Sequence, residues 1–316
     1  MKNIIHFSLI VIITFSNISC SKEGIKEPLS DKINSNLEYF GFTLIDVGWD
    51  DPTDSQDKIN YIDEISAFSN LADILVISPE EDIQDRISIF DSQGVKAMLH
   101  LNEIFFEKKS NGGHKSGVIY GLRSDYQVRW DTFILTNNLN SISNKIACFY
   151  IGEEPSWNGI PESEFKEACD YAKFTVPQVP ILNIEAYFDV NSIYTPISVD
   201  WIGFDHYFIP DPETNPTFLS EITTVKSKMK GHQKMMLVLD SHWLKLFHGS
   251  AGIAKEDMDV IAREYYNIAN NDTSIIGMVG YFWPSEFDIK NSIGARNLPQ
   301  NVKDEYVKIG KKITGK

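Results

Sequence analysis

Eight short apolar segments alternate with longer amphipathic segments and predict an α/β fold, a single (β/α)8 or TIM barrel, over residues 37–316. The apolar segments are nearly continuous in isoleucine, valine, leucine and phenylalanine, which is typical of parallel strands that are buried on both faces. No glycine-rich dinucleotide fingerprint follows the first segment, so a doubly wound sheet fits less well. No linker divides the region, and we expect one domain.

The predicted elements follow one another in barrel order along the chain. Strands are expected at residues 39–49, 72–78, 95–103, 146–155, 179–188, 199–208, 234–243 and 275–283. Helices are expected at residues 57–70, 80–93, 125–142, 162–174, 217–229, 255–271 and 300–313. In the segment 255–271 apolar residues recur at three- and four-residue spacing, which gives one face to cover a sheet. Only the link between strands five and six is too short for a full helix.

The first 19 residues have the composition of a secretory signal peptide. They combine an early lysine with an apolar stretch from Ile4 to Phe15 that is short for a membrane span, and small polar residues follow. The end of this segment resembles the lipobox of bacterial lipoproteins, in which the cysteine, here Cys20, is lipidated. The resemblance implies a secreted protein anchored to a bacterial membrane, with the outer membrane or cell surface as the expected location and residues 20–36 as a tether. Simple secretion is the alternative.

Charge and cysteine content exclude several classes of function. A formal net charge of −15 without a basic stripe argues against a nucleic-acid partner. The two cysteines beyond Cys20, Cys148 and Cys169, cannot form a disulfide scaffold, and no C-x-x-C pair suggests zinc. We expect no metal and no cofactor.

Polar residues end the predicted strands, where a (β/α)8 barrel gathers its chemistry. Alternation places Gly203, Asp205 and Tyr207 on one face of the sixth strand. Glu154 and Asp240, which end the fourth and seventh strands, are the candidate catalytic residues. The candidate substrate-binding residues are Asp46, Trp49, His100, Asn102, Glu153, Glu185, Asp205, Tyr207, His242 and Trp283.

Three segments resemble motifs of the clan A glycoside hydrolases, which are retaining TIM-barrel enzymes. "GEEP" at 152–155 resembles the Asn-Glu-Pro motif that closes their fourth strand, "DWIGFDHY" at 200–207 resembles their sixth strand, and "GYFW" at 280–283 resembles their terminal tryptophan. The resemblance implies a carbohydrate substrate and a two-carboxylate mechanism. It implies Glu154 as the general acid/base, Glu153 in place of the asparagine, Tyr207 beside the nucleophile and Trp283 stacked on the sugar.

The second carboxylate stays open at this point, because the family ends strand seven with glutamate and this chain has Asp240. Aspartate is one methylene shorter, and carboxyl separation distinguishes retaining pairs, about 5–5.5 Å apart, from inverting pairs, about 6.5–9.5 Å apart. Glu185 and Asp205 are the alternative candidates. Glu153 is adjacent to Glu154 in the sequence, and we expect its negative charge to raise the pKa of Glu154 by like-charge repulsion.

Two other functions compete with a hydrolase. In a metal-dependent sugar isomerase or epimerase, a divalent metal ion would be bound by histidine and carboxylate side chains at the strand ends. The candidates for this role are His100, Glu185, Asp205 and His242. A glycan-binding lipoprotein would keep the barrel without the chemistry. A basic, glycine-rich segment at 106–125 is either a loop that closes over an acidic glycan or a mobile loop.

Overall fold

A computed structural model describes residues 29–316 of the protein. Eight parallel strands close into a barrel in the order β1, β10, β9, β8, β7, β6, β3, β2, which confirms the (β/α)8 prediction. In chain order the strands are β1 (Tyr39–Asp46), β2 (Leu71–Leu75), β3 (Lys96–His100), β4 (Phe106–Asn111), β5 (Val118–Leu122), β6 (Ile146–Glu153), β7 (Ile181–Ala186), β8 (Trp201–Asp205), β9 (Lys234–Asp240) and β10 (Ile275–Tyr281). Strands β4 and β5 stand outside the barrel as an antiparallel hairpin.

Helices cover the outside of the barrel. They are α1 (Ile62–Ile65), α2 (Gln84–Ser92), α3 (Asn102–Phe105), α4 (Tyr126–Asn137), α5 (Leu139–Ile142), α6 (Glu162–Thr175), α7 (Pro216–Lys228), α8 (Met258–Asn270) and α9 (Gln300–Thr314). The link between β7 and β8 contains only a 3-10 turn, Tyr187–Asp189, as its length predicts. None of the helices in residues 29–316 is long and apolar enough to cross a membrane.

Three elements differ from the sequence prediction, each for a local reason. The helix expected at 57–70 shrinks to α1, because Asn60 forms a β-bridge with Asp46 and keeps the preceding chain extended. The helix expected at 125–142 breaks at Asn138, whose φ of 48° is left-handed. The basic segment after β3 forms the β4–β5 hairpin, which polar and glycine-rich composition did not predict.

The core has two layers, one on each face of the barrel strands. The inner layer fills the barrel with side chains such as Met98, Leu182 and Met236. The outer layer packs strand residues such as Phe40 and Phe204 against the helices. Burial on both faces explains why the strands are nearly continuous in apolar residues.

The chain enters the barrel at the end where the strands begin. The Asn34 side chain is buried and donates hydrogen bonds to the carbonyls of Ala269, Asp272 and Ile275, the first residue of β10. Residues 29–36, the last part of the predicted tether, therefore contact the barrel. The predicted signal peptide, Cys20 and residues 21–28 lie outside the described residues.

Candidate active site

Left-handed backbone conformations are concentrated at the carboxyl ends of the barrel strands. Glu154, Phe208 and Glu286 follow β6, β8 and β10 and have φ values of 45°, 67° and 59°. Leu44, with a φ of 60°, lies two residues before the end of β1. A residue with a Cβ in this region costs about 1–2 kcal/mol. Such strain persists only where surrounding contacts impose it, which is common at functional sites.

The end of β6 is held tightly against its neighbours. Gly152 lets α6 approach, since a Cβ there would lie 2.5 Å from the Phe165 ring. Beyond it, the Glu154 N–H donates to the Ile184 carbonyl at 2.9 Å, and the Glu154 carbonyl accepts from the Asn158 N–H at 2.8 Å. The backbone of Glu154 is thus fixed on both sides, and its side chain points toward β8.

Glu154 and Asp205 form a hydrogen-bonded pair of carboxyl groups. Burial raises the pKa of Glu154 well above its usual range, with further increases from Asp205, Glu153 and Glu185. Burial and Glu153 also raise the pKa of Asp205, while its hydrogen bonds with Glu154 and Tyr207 act in the opposite direction. No lysine or arginine in residues 29–316 forms an ion pair with either group. Two buried carboxyl groups in contact cannot both be ionised, so the pair shares a proton.

Glu153 takes a different position from its neighbour. Its carboxylate accepts a short hydrogen bond from the Tyr150 hydroxyl, and His100 Nε2 lies 3.4 Å from the same oxygen. The His100 ring stacks on Tyr150, with 4.4 Å between centroids, and burial lowers the pKa of His100 despite the nearby Glu153 and Glu103. The Glu153 side chain is 41% exposed. It therefore acts on Glu154 through its charge, as the sequence predicts, and keeps a face open to a ligand.

Glu185 lies beneath the turn that follows Glu154. Its fully buried carboxylate accepts from the Ser156 N–H at 3.2 Å, the Ser156 hydroxyl at 3.1 Å and the Asn183 amide at 3.2 Å. Burial raises the pKa of Glu185 to about 8, although the Ser156 hydrogen bonds oppose the increase. This geometry makes Glu185 a residue that supports the turn rather than one that contacts substrate.

Replacing Glu185 with glutamine should make stability less dependent on pH. A carboxyl whose folded pKa is raised stabilises the fold below its unfolded pKa of about 4.3, and this contribution is lost as pH rises toward the folded pKa of about 8. We expect Glu185→Gln to be more stable than wild type at pH 8 by on the order of 1–3 kcal/mol, and near equal at pH 4. Urea unfolding at both pH values measures this, and a constant difference would contradict the assignment.

Asp240 is not the hydrogen-bonded partner of Glu154. Its side chain is 1% exposed, and its Oδ2 accepts from the Phe208 N–H at 2.8 Å. His248 Nε2 lies 3.1 Å from both carboxylate oxygens. Burial opposes ionisation of Asp240, but His248, His242 and the Phe208 N–H together lower its pKa. Among the candidates for the second carboxylate, Asp205 is the one beside Glu154.

Asp240, His242 and His248 are the one group in the described residues that could hold a metal ion, with ligand atoms within 4.8 Å of one another. Their hydrogen bonds do not fit that role. His248 Nδ1 accepts from the Leu244 N–H at 2.9 Å, so the proton of this imidazole is on Nε2, the atom that faces Asp240. A protonated nitrogen cannot ligate a metal, so His248 is excluded as a ligand in this arrangement. His242 Nδ1 lies 3.1 Å from the Tyr281 carbonyl and must donate to it, which leaves only its Nε2 available. The other predicted ligands, His100, Glu185 and Asp205, are not in this group.

Comparisons with known proteins agree on the fold. No protein-family model matches the sequence, and no curated protein matches it. The native xylanase 10B from Thermotoga maritima is similar in structure, with a TM-score of 0.55 and 10% identity over 89% of this chain and 97% of that one. A GH113 β-1,4-mannanase has a TM-score of 0.52 and 12% identity, covering 85% and 99%. The chain therefore shares the (β/α)8 barrel fold of these two structures.

The aromatic residue at the mouth of the barrel is Tyr281 rather than Trp283. Trp283 is 5% exposed, packs its ring 4.7 Å from that of Phe42 and donates its indole N–H to Glu64 at 2.7 Å. This position leaves no open face for a sugar, which corrects the expectation for Trp283. Strand β10 ends two residues earlier at Tyr281, whose ring stacks on Tyr207 with 5.5 Å between centroids. Side chains alternate between the two faces of a strand, so Tyr281 shares a face with Val279, which belongs to the inner layer. This alternation could have identified Tyr281 from the sequence.

The remaining predicted residues lie around the mouth in supporting positions. The Asp46 carboxylate forms an ion pair with Arg86 at 2.7 Å and is 6% exposed, so it is engaged within the protein. The half-buried Trp49 donates its indole N–H to the Ser285 carbonyl at 3.0 Å. Asn102 begins α3, directly beyond β3. Their roles in substrate binding stay predictions.

The basic residues of the β4–β5 hairpin are mostly balanced by acids of the same protein. Lys109 pairs with Glu107 at 2.6 Å, and Arg123 pairs with Glu107 at 3.3 Å. Lys115 forms a short ion pair with the buried Asp189, which ties the hairpin to the loop after β7. The hairpin therefore gives little support to the idea that it binds an acidic glycan.

Proposed function

We propose that the protein is a glycoside hydrolase that uses Glu154 as general acid/base and Asp205 as the second carboxylate. The contact between these two carboxyl groups carries the proposal, because it brings together the ends of β6 and β8, which are separated by β7, at the barrel mouth. Carboxyl groups in contact are closer than an inverting pair, about 6.5–9.5 Å apart, and nearer to a retaining pair, about 5–5.5 Å apart. The similar structures include a xylanase and a β-1,4-mannanase, which supports a poly- or oligosaccharide substrate.

In the first half of the proposed reaction, the sugar replaces the hydrogen bond between the two carboxyl groups. Glu154 transfers its proton to the glycosidic oxygen as the bond from that oxygen to the anomeric carbon breaks. An oxygen of Asp205 attacks the same carbon and forms a glycosyl ester. The leaving group departs as an alcohol, and Glu154 is left as a carboxylate.

In the second half, water completes the hydrolysis. Glu154, now a base, takes a proton from water as the water oxygen attacks the anomeric carbon. The ester bond breaks, Asp205 leaves as a carboxylate and Glu154 regains its proton. Burial and the neighbouring acids support this cycle because they raise the pKa of Glu154, which must donate a proton near neutral pH.

A glycan panel tests the proposal against its two rivals. The purified wild-type protein is incubated with xylan, mannan and other neutral and acidic glycans, and new reducing ends and glycan binding are both measured. We expect new reducing ends that a chelator does not suppress. Glycan binding without new reducing ends would indicate a glycan-binding protein. Loss of activity when a chelator is added, with recovery when metal is added back, would indicate a metal-dependent enzyme.

We also propose that the protein is secreted and lipid-anchored to a bacterial membrane through Cys20, on the strength of the lipobox-like sequence. Cys20→Ala should move the protein from the membrane fraction to the soluble fraction of the cell envelope or the medium, because the anchor needs this thiol. Cell fractionation with immunoblotting measures the change, and Cys169→Ala is the matched control that should stay with the membrane. Membrane association that survives Cys20→Ala would refute the anchor.

A further inference from the structure

Asp240 and His248 form a buried pair on one side of the barrel mouth. His248 is fully buried in the segment between β9 and α8, and Asp240 ends β9. The Leu244 N–H donates to His248 Nδ1, which leaves Nε2 as the donor to Asp240. Each polar atom of the imidazole thus has a partner within the protein.

The pair is attached to the loop that follows β8. Asp240 Oδ2 accepts from the Phe208 N–H at 2.8 Å, and Phe208 has a φ of 67°. The Phe208 ring lies edge-on to His248, with 4.7 Å between centroids, and stacks on Phe247 at 5.0 Å. These contacts supply the constraint that a left-handed phenylalanine requires.

Phe208 follows Tyr207, and Tyr207 reaches the proposed catalytic pair. Its hydroxyl lies close enough to the Asp205 carboxyl to lower the pKa of that group, and the centroid of its ring lies 5.3 Å from that of His242 and 5.5 Å from that of Tyr281. A shift of Phe208 would move Tyr207 and change the hydrogen bonding of Asp205. The path from Asp240 to Asp205 consists of the hydrogen bond to Phe208, the peptide bond between Phe208 and Tyr207, and the approach of the Tyr207 hydroxyl to Asp205.

A nucleophile must offer an oxygen to the anomeric carbon of the substrate. Asp240 is 1% exposed, and its oxygens already accept from Phe208 and His248. To attack a sugar it would have to leave both donors unpaired in the interior, which costs about 1–3 kcal/mol for each. Asp205 is also buried, at 5% exposed, but the donor that it gives up is Glu154, which turns to the glycosidic oxygen in the proposed reaction.

We infer that Asp240 and His248 are a positioning pair that fixes Phe208 and Tyr207 against Asp205, so that the acid ending the seventh barrel strand does not act as the nucleophile. The catalytic part of this inference rests on the proposed function, whereas the positioning contacts do not. The two parts are therefore tested separately.

Kinetics test the catalytic part. Asp240→Asn should lower kcat about 10- to 100-fold with little change in KM, and Asp240→Gly should not be rescued by azide or formate. Asp205→Gly should be rescued, because a small anion can replace a missing nucleophile. The acidic limb of the pH profile of Asp240→Asn should move to higher pH, since Asp205 would lose the Tyr207 hydrogen bond while still facing Glu153 and Glu154. Rescue of Asp240→Gly, with a glycosyl azide as product, would overturn the inference.

Two replacements of His248 distinguish the loss of a positioning contact from a general loss of folding. His248→Gln keeps an N–H that can reach Asp240 and should retain most activity, whereas His248→Ala should match Asp240→Asn. Equal losses in His248→Gln and His248→Ala, with unchanged thermal unfolding, would contradict a role for the donor.

Nuclear magnetic resonance tests the contacts even in a protein without hydrolytic activity. In ¹⁵N-histidine-labelled wild type, His248 should be neutral with its proton on Nε2. In Asp240→Asn the amide signals of Tyr207 and Phe208 should shift, while that of Leu75, on the far side of the barrel, should not. A His248 proton on Nδ1, or unshifted Tyr207 and Phe208 signals, would overturn the positioning pair whatever the activity assay shows.

Discussion

Replacing Glu154 with glutamine is expected to lower kcat/KM about 10³-fold on natural glycans, because glutamine cannot protonate the departing oxygen. The loss should depend on the leaving group. An aryl glycoside with an acidic phenol leaves without proton transfer, so its first step should be almost as fast as in wild type. Steady-state and pre-steady-state kinetics with natural and aryl substrates measure both effects.

Glu153→Gln is the matched control for Glu154→Gln, since it removes one carboxylate from the adjacent position. Glu153 is partly exposed and bonded to Tyr150, so its loss should weaken substrate binding and lower kcat/KM only about tenfold. It should also move the alkaline limb of the pH profile to lower pH, because a charge that raises the pKa of Glu154 is gone. Full activity in Glu154→Gln, or equal losses in the two variants, would refute the acid/base assignment.

Replacing Asp205 with asparagine should abolish turnover of every substrate, aryl glycosides included, because no carboxylate would remain to form the glycosyl ester. We expect a loss of at least about 10³-fold in kcat. Mass spectrometry after incubation with a 2-deoxy-2-fluoro glycoside should find the sugar on the β8 peptide that contains Asp205 in wild type. A label on the β9 peptide that contains Asp240 would assign the nucleophile to the seventh strand instead.

The stability of Asp205→Asn distinguishes a catalytic loss from unfolding. Burial raises the pKa of Asp205, so its contribution to stability is present below its unfolded pKa and is lost as pH rises toward its folded pKa. The asparagine variant should therefore unfold at a higher temperature than wild type at pH 7, and this advantage should shrink at pH 4. A lower unfolding temperature at both pH values would mean that the carboxyl group is structural.

The barrel was predictable because strand burial leaves a strong pattern in a sequence. Both faces of each barrel strand are covered, so eight apolar segments stand out, and their polar ends mark the mouth. The same logic put Asp205 and Tyr207 on one face, and the structure places that face inside the barrel. Helix bounds were less predictable where a single residue such as Asn138 decides them.

The partners of each site residue were not predictable, because they come from distant parts of the chain. Asp240 looks equivalent to Asp205 in sequence, but His248 and Phe208 occupy its oxygens. Trp283 matches a motif position, yet it packs into the core because β10 ends at Tyr281. Sequence pattern locates strand ends, whereas the role of a side chain depends on what three-dimensional packing leaves exposed.

The position of residues 29–36 determines how an anchored protein would be oriented. Asn34 bonds to the first residue of β10, so the polypeptide joins the barrel on the side opposite Glu154 and Asp205. Any attachment upstream of residue 29 would hold the protein by its base. The mouth of the barrel would then face away from the supporting surface. Long or insoluble glycan chains could reach it from that side without passing beneath the protein.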